Sequence, residues 1–246
     1  MTERRFRVIG PGRAGGAFRL ALEKVGWVAA PELARLDDLT GAAAGVDLVL
    51  VTVPDAVVAA VASSVAPAPS VVVAHVAGSL GLDALAPHPR RAVIHPLVTL
   101  PEPEIGAERL LDSAWFALTE GGDPLAEEVV NVLRGRSVTI GDDAETRAIH
   151  HAACCVAANH VVALLAQVER LAAVAGVPRD AYLALARGAL DNIAALGASA
   201  ALTGPVARGD HGTIARHRAA LDVVAPRERA LYDALVAAIE GDLACR

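Results

Sequence analysis

The chain has 246 residues, 54% of them hydrophobic, and a formal net charge of −6 at pH 7. That is enough apolar material for one large or two modest domains. The acidic balance, with no polybasic cluster, argues against nucleic acid and anionic membrane as partners. No signal-peptide pattern is visible, and the three cysteines include an adjacent pair, Cys154-Cys155. This predicts free thiols in a reducing cytoplasm rather than a disulfide framework.

The N-terminal segment is the most informative. Phe6-Arg7-Val8-Ile9 reads as a strand, and it runs into Gly10-Pro11-Gly12-Arg13-Ala14-Gly15 and then into a helix-like stretch from Ala17 to Lys24. Strand, Gly-x-Gly-x-x-Gly and helix in that order form the dinucleotide-binding turn. The first glycine makes the bend, the second admits the pyrophosphate, and the third lets helix and sheet pack closely. Gly26 to Ala30 reads as a short second strand. Glu32 is the nearest acidic candidate for the adenosine ribose, while Arg13 suits a 2′-phosphate. The cofactor is NADP or NAD, with a lean toward NADP.

Asp47 to Val53 is a continuous apolar run, as expected of a central parallel strand covered on both faces. It ends in Pro54-Asp55, so Val53 and Pro54 should border the cofactor, with Asp55 capping the helix Ala56 to Val65. Pro54-Asp55 and Pro67-Ala68-Pro69 also break the apolar region from Val46 to Gly78, which therefore does not read as a membrane span. Val71 to Ala74 and Ala92 to Ile94 are further strands. They deliver His75, Ser79 and His95 to the carboxyl edge of the sheet, His75 on the cofactor side. Trp115 to Leu118 and Ser137 to Ile140 complete the sheet around a helix from Pro124 to Arg134.

Beyond Gly141 the strand signals stop. Ala144 to Ala175 reads as a single long helix ended by Gly176-Val177-Pro178. Helices Asp180 to Leu196, Asp210 to Val223 and Pro226 to Leu243 follow. The expected architecture is α/β: a doubly wound Rossmann sheet over residues 1–141, then an all-α domain over 142–246 led by the long helix. The apolar surface of that helix predicts a homodimer.

Hydride transfer to a carbonyl or imine needs a proton donor near the acceptor atom. Lys24, in the first helix, is the only lysine, and neither Tyr182 nor Tyr232 has a lysine four residues on. This excludes Tyr-x-x-x-Lys chemistry and leaves histidine as the natural donor. His95 is the first choice as catalytic residue, against a loop histidine held by Pro96. Ser79, His151 and Asn159 are further catalytic candidates. Arg208 is a candidate for a substrate carboxylate, and Asp210 with Thr213 suits a helix start. His150 and Cys154 share a helix face, but two donors fall short of a metal site, and no bound metal is expected.

Taken together, Gly10 to Gly15, Val53-Pro54-Asp55, His75 to Ser79, His95-Pro96, His151-Ala152-Ala153 with Asn159, and Ala201 to Asp210 resemble a bacterial family. Its members are Rossmann-like proteins with a C-terminal helical domain of unknown function. The resemblance implies an NAD(P)-dependent oxidoreductase of undefined substrate, and the reading adopted is reduction of a small keto- or imino-acid, or the reverse reaction. The resemblance also places the chain near a superfamily that includes pyrroline-5-carboxylate reductase, prephenate dehydrogenase, ketopantoate reductase and 3-hydroxyisobutyrate dehydrogenase. His95-Pro96 is similar to the His-Pro of prephenate dehydrogenases, where the histidine binds the reacting hydroxyl. The chain departs from the hydroxyacid dehydrogenases where their long helix carries a catalytic lysine four residues before an asparagine. Asn159 matches the asparagine, and Cys155 stands in the lysine's place. A non-catalytic dinucleotide sensor that dimerises through its helices is therefore the alternative reading.

Overall fold

The continuous apolar run in the middle of the first half is a strand whose side chains alternate between two cores. Leu48 and Leu50 join one apolar cluster with Phe6, Phe18 and Phe116, while Val49 and Val51 join the other with Ile9, Val58 and Leu85. A two-residue side-chain period with both faces covered requires an unbroken apolar sequence, and this one has it.

The structure, a computed structural model, describes residues 3–243. Packing divides the chain into two compact units, Met1–Ala158 and Asn159–Arg246. The first unit holds β1 (Arg5–Ile9), α1 (Arg13–Lys24), β2 (Val28–Ala29), β3 (Leu48–Val51), α2 (Val58–Ser64), β4 (Val72–His75), β5 (Arg91–Pro96), α3 (Pro103–Leu111), β6 (Trp115–Thr119), α4 (Leu125–Val132), β7 (Arg136–Ile140) and α5 (Ala144–Cys155). The seven strands form one sheet in the order β2-β1-β3-β4-β5-β6-β7. All pairs are parallel except β5 with β6. The polar residues after β1, β3, β4 and β5 therefore collect at the carboxyl edge of the parallel strands, where open α/β sheets bind ligands.

The sequence reading passed over α3. Its start is marked by Pro103 in the first helical turn. Helices α1 and α3 meet through small residues: a Cβ on Gly16 would lie 2.9 Å from that of Pro103, and one on Gly106 would lie 2.7 Å from that of Ala17.

The predicted long helix is present over Ala144–Ala175, 32 residues. It is not uniform. A π turn, Val156–His160, separates α5 from α6 (Val161–Ala175). The wide turn changes the helix phase, so face relationships counted at 3.6 residues per turn do not carry from His151 to Asn159. Asp143 caps α5 by accepting from the Thr146 amide at 2.9 Å. By length and composition this helix is apolar enough to cross a membrane, and none of its most apolar stretch is buried within the chain.

The second unit continues with α7 (Arg179–Leu196), α8 (Ala198–Ala201), α9 (His211–Val224) and α10 (Arg229–Ala238). Asp210 caps α9 through the Thr213 amide, as its sequence predicts. Pro226 opens a short 3-10 turn rather than the last helix itself. Polar ties organise the unit. Arg170 grips Glu228 through two bonds of 2.5 and 2.9 Å, and Gln167 donates to the Glu228 carbonyl at 2.8 Å. Apolar burial is sparse: Ala172, Ile214, Leu221 and Val236 are buried hydrophobics here, and α7 buries none of its residues.

Candidate functional site

The glycine turn is built as its spacing requires. Gly10 has φ +95°, a conformation that favours glycine. Gly15 lies under the turn, where a Cβ would overlap the Gly10 carbonyl oxygen and sit 2.6 Å from Thr52 Oγ1. Gly12 is different: a Cβ there would meet nothing within 4 Å. Gly12 is also the N-cap of α1 and places no side chain over the amides that follow. Free N–H groups and the positive end of the helix dipole thus face open space, which is what a pyrophosphate needs.

That space is a cavity of about 520 Å³ bordered by Gly12, Arg13, Ala14, Val53, Pro54 and Ala77. A neighbouring hollow of about 320 Å³ is bordered by Gly10, Pro11, Gly12, Ala34, Arg35 and Pro54. Of the sequence-predicted cofactor residues, Gly10, Pro11, Gly12, Arg13, Ala14, Val53 and Pro54 therefore line the two hollows, and Gly15 supports the turn from below. The residues fit a dinucleotide. Glu32 is engaged by Arg19 at 2.9 Å, and the charged group bordering the hollow beyond Gly12 is Arg35. Sequence reasoning looked for a carboxylate at the end of β2 and did not weigh this arginine.

His75 does not reach the cofactor hollows. It is fully buried, its Nε2 bonds the Gly81 carbonyl at 3.1 Å, and its Nδ1 accepts from the Ala77 amide at 3.2 Å. Both nitrogens are spent on its own loop, so His75 shapes the strand end while Val76 and Ala77 border the cavity. Asp55 also differs from expectation. It opens a 3-10 turn without capping it, and its carboxylate accepts from Ser79 Oγ at 2.5 Å. Asp55 borders the larger cavity, so this pair joins Ser79 to the cavity rim.

His95 leaves β5 half-buried. Its ring lies against Gly78, where a Cβ would be 2.6 Å from Cε1. Its Nδ1 is 3.2 Å from His150 Nε2, and the His151 ring centroid is 6.3 Å away. Burial first, then the positive charges of His150, His151 and Arg147, push the His95 pKa down to about 4. The imidazole is therefore neutral at pH 7.

Arg147, one turn before His150 and His151 on α5, was missed. It is fully buried, and among the described residues none of its three guanidinium nitrogens has a hydrogen-bond partner. Burial lowers its pKa, with Asp142 opposing the shift. An unpaired cation in the interior is costly enough to require a reason. Its sequence signal is an arginine inside an alanine-rich helix beside two histidines.

Asn159 and Arg208 belong to the second unit. Asn159 is exposed within the π turn, and Arg208 is exposed in the loop before α9. The first unit thus assembles Ser79, His95 and His151 with Arg147, which the sequence does not single out, and His150, which it offers only as a metal donor.

A family model for the domain of unknown function DUF2520 matches residues 116–239, half of the chain, and the protein belongs to that family. Solved structures share its fold over nearly its whole length. A provisionally assigned NADP oxidoreductase from Bacteroides fragilis is 19% identical with a TM-score of 0.79, covering 97% of this chain and 98% of that one. A Thermotoga maritima protein is 25% identical with a TM-score of 0.70 over the same shares. A reductive aminase from Aspergillus terreus in complex with NADPH is 18% identical with a TM-score of 0.61, covering 88% of this chain and 78% of its own. No curated protein matches the chain.

Proposed function

We propose that the protein is an NADP-dependent oxidoreductase that reduces a small keto- or imino-acid, or runs the reverse reaction. The observation that carries this is the contrast between Gly15, which has no room for a Cβ, and Gly12, whose missing side chain opens onto the cavity. The B. fragilis oxidoreductase and the A. terreus aminase share the fold and support the reading. Residues Gly10 to Ala14 hold the diphosphate, and Arg35 binds the 2′-phosphate that distinguishes NADP. The bound dinucleotide supplies a hydride and an acceptor for one.

The remaining chemistry belongs to the side chains. As a C=O or C=N carbon gains a hydride, the heteroatom gains a proton. His95 relays it in one step: its Nε2 gives a proton to the heteroatom as its Nδ1 takes one from His150, so the ring stays neutral and solvent restores the proton to His150. Ser79, aligned by Asp55, hydrogen-bonds the substrate or the nicotinamide amide, and His151 adds polarity to the same wall. A substrate carboxylate needs a cation, and the exposed Arg208 is the candidate. We assign Asn159 a substrate-orienting role.

The decisive measurement is fluorescence titration with NADPH and NADH, followed by cofactor oxidation over a panel of 2-keto acids and cyclic imines. Tight NADPH binding and turnover of at least one class are expected. Binding with no turnover across the panel would favour a dinucleotide sensor, a reading supported by Cys155 in the position of the relatives' lysine.

We also propose a cytoplasmic homodimer that contacts neither membrane nor nucleic acid. A helical unit with so few buried apolar residues needs more surface covered than it covers itself. A second copy supplies the same apolar helices. Leu185 and Leu196, 70% and 61% exposed, mark the face.

A further inference from the structure

His150 and Cys154 offer two donors from one face of α5, too few for a metal ion by themselves. Folding adds a third from 55 residues away in sequence, His95 on β5. One donor atom from each of the three lies within 4.8 Å of the others. We propose that His95, His150 and Cys154 form a binding site for a borderline-soft divalent metal ion of the zinc class.

The spacing is the main argument. Zinc–nitrogen bonds of about 2.0–2.1 Å and a zinc–sulfur bond of about 2.3 Å, arranged tetrahedrally, place two nitrogens ~3.3 Å apart and nitrogen and sulfur ~3.6 Å apart. The observed His95 Nδ1 to His150 Nε2 distance is 3.2 Å, and His150 Nε2 to Cys154 Sγ is 3.7 Å. Two of the three edges of the ligand face are already near their bound lengths. The third is within 4.8 Å.

The donor chemistry agrees with the geometry. Two imidazoles and a thiolate suit zinc and its neighbours and do not suit magnesium or calcium, which select oxygen. All three residues are half-buried, and as three ligands they leave the fourth position of a tetrahedron to a group outside the triad. Three protein ligands with one open position is the pattern of a catalytic rather than a structural zinc site. The scaffold is stiff: two ligands are spaced i, i+4 on a helix, and the third has its ring against the Gly78 backbone. Buried Arg147 opposes a second cation nearby. The charge left on Cys154 when the ion displaces its proton, together with Asp142 beside Arg147, offsets that repulsion.

The inference does not depend on the oxidoreductase reading. An ion at His95 Nδ1 and a proton passing through that atom exclude each other, so metal binding is judged by spectroscopy and not by turnover. The experiment titrates EDTA-treated full-length protein with Co2+. A thiolate-to-cobalt charge-transfer band in the near ultraviolet, with intense visible bands of tetrahedral coordination, should saturate at one ion per chain and be displaced by Zn2+. Cys154→Ser should abolish the charge-transfer band. His150→Ala should weaken Co2+ binding at least about tenfold. Cys155→Ser should leave the spectrum unchanged. Should Cys154→Ser misfold, iodoacetamide labelling of the unmodified protein gives the answer: Zn2+ should protect Cys154 and leave Cys155 reactive. No charge-transfer band, a band that survives Cys154→Ser, or labelling of Cys154 indifferent to Zn2+ would each overturn the site.

Discussion

The hydroxyl of Thr52 donates to the carbonyl oxygen of Gly10 at 2.7 Å, tying the end of β3 to the turn that follows β1. Gly15 fits directly beneath this bond, and Gly12 lies on the open side of the turn. The two glycines should therefore fail differently. Gly15→Ala forces the turn and β3 apart, at a cost of about 1–3 kcal/mol, or roughly 2–10 °C in Tm. Gly12→Ala should leave Tm within about 1 °C, because its φ of −85° suits alanine and the methyl meets no protein atom. It should still weaken NADPH binding at least about tenfold, because the methyl takes the ligand's place. Differential scanning calorimetry and NADPH titration of both variants test the pair. A Gly12→Ala protein that binds normally would remove the diphosphate from this turn.

Arg35 should set cofactor preference. Hydrogen bonds to a charged group contribute about 1.5–3 kcal/mol, so Arg35→Ala should cost NADPH affinity about 10- to 100-fold while NADH affinity changes little. Equal losses for both cofactors would show that Arg35 does not meet the 2′-phosphate.

Arg147 is buried without a partner. Replacing it by an apolar side chain of similar length relieves an uncompensated charge, so Arg147→Met should raise stability by about 1–3 kcal/mol. A lowered Tm would show that the guanidinium is held by interactions that outweigh its desolvation. The carboxylate is tested separately at the exposed Arg208: Arg208→Met should raise KM for a carboxylate substrate, and an unchanged KM would remove Arg208 from the site.

Glu228 has its pKa lowered, first by the hydrogen bonds from Arg170 and then by that residue's charge. A carboxylate depressed in the folded state adds stability that is complete above its ordinary value of about 4.3. That stability is lost as pH falls through the lower folded value. Wild type should melt above Glu228→Gln at neutral pH, and the two curves should converge in acid. A gap that persists after Glu228 is protonated would assign the effect to packing.

The dimer is tested at Leu185 and Leu190, 70% and 57% exposed on α7. Leu185→Glu with Leu190→Glu should shift light scattering from dimer toward monomer while circular dichroism stays constant. A wild-type protein that is already a monomer would remove the second copy from the account.

Much of the first unit was legible because its signals are local. The alternation hidden in Leu48 to Val51, the bend at Gly10 and the stop at Gly176 depend on residues within a few positions of one another. Helix α3 escaped because its apolar residues are few and its packing on α1 rests on Gly16 and Gly106, small residues that carry no periodic signal. The pKa of His95 is not written in the sequence, because residue type sets only the starting value. Burial and the neighbouring charges of α5 set the rest.

From the sequence alone came the class of fold, the dinucleotide turn and the change from strands to helices after Gly141, because backbone geometry and hydrophobic period are written in adjacent residues. Tertiary structure alone decided that His75 serves its own loop and that Arg35 borders the hollow beyond Gly12. It also set Arg147 without a partner and turned His150 and Cys154 from a pair into a triad. Those outcomes depend on which distant side chains meet, and whether a nitrogen is free, buried or shared is settled only by the groups that fold up against it.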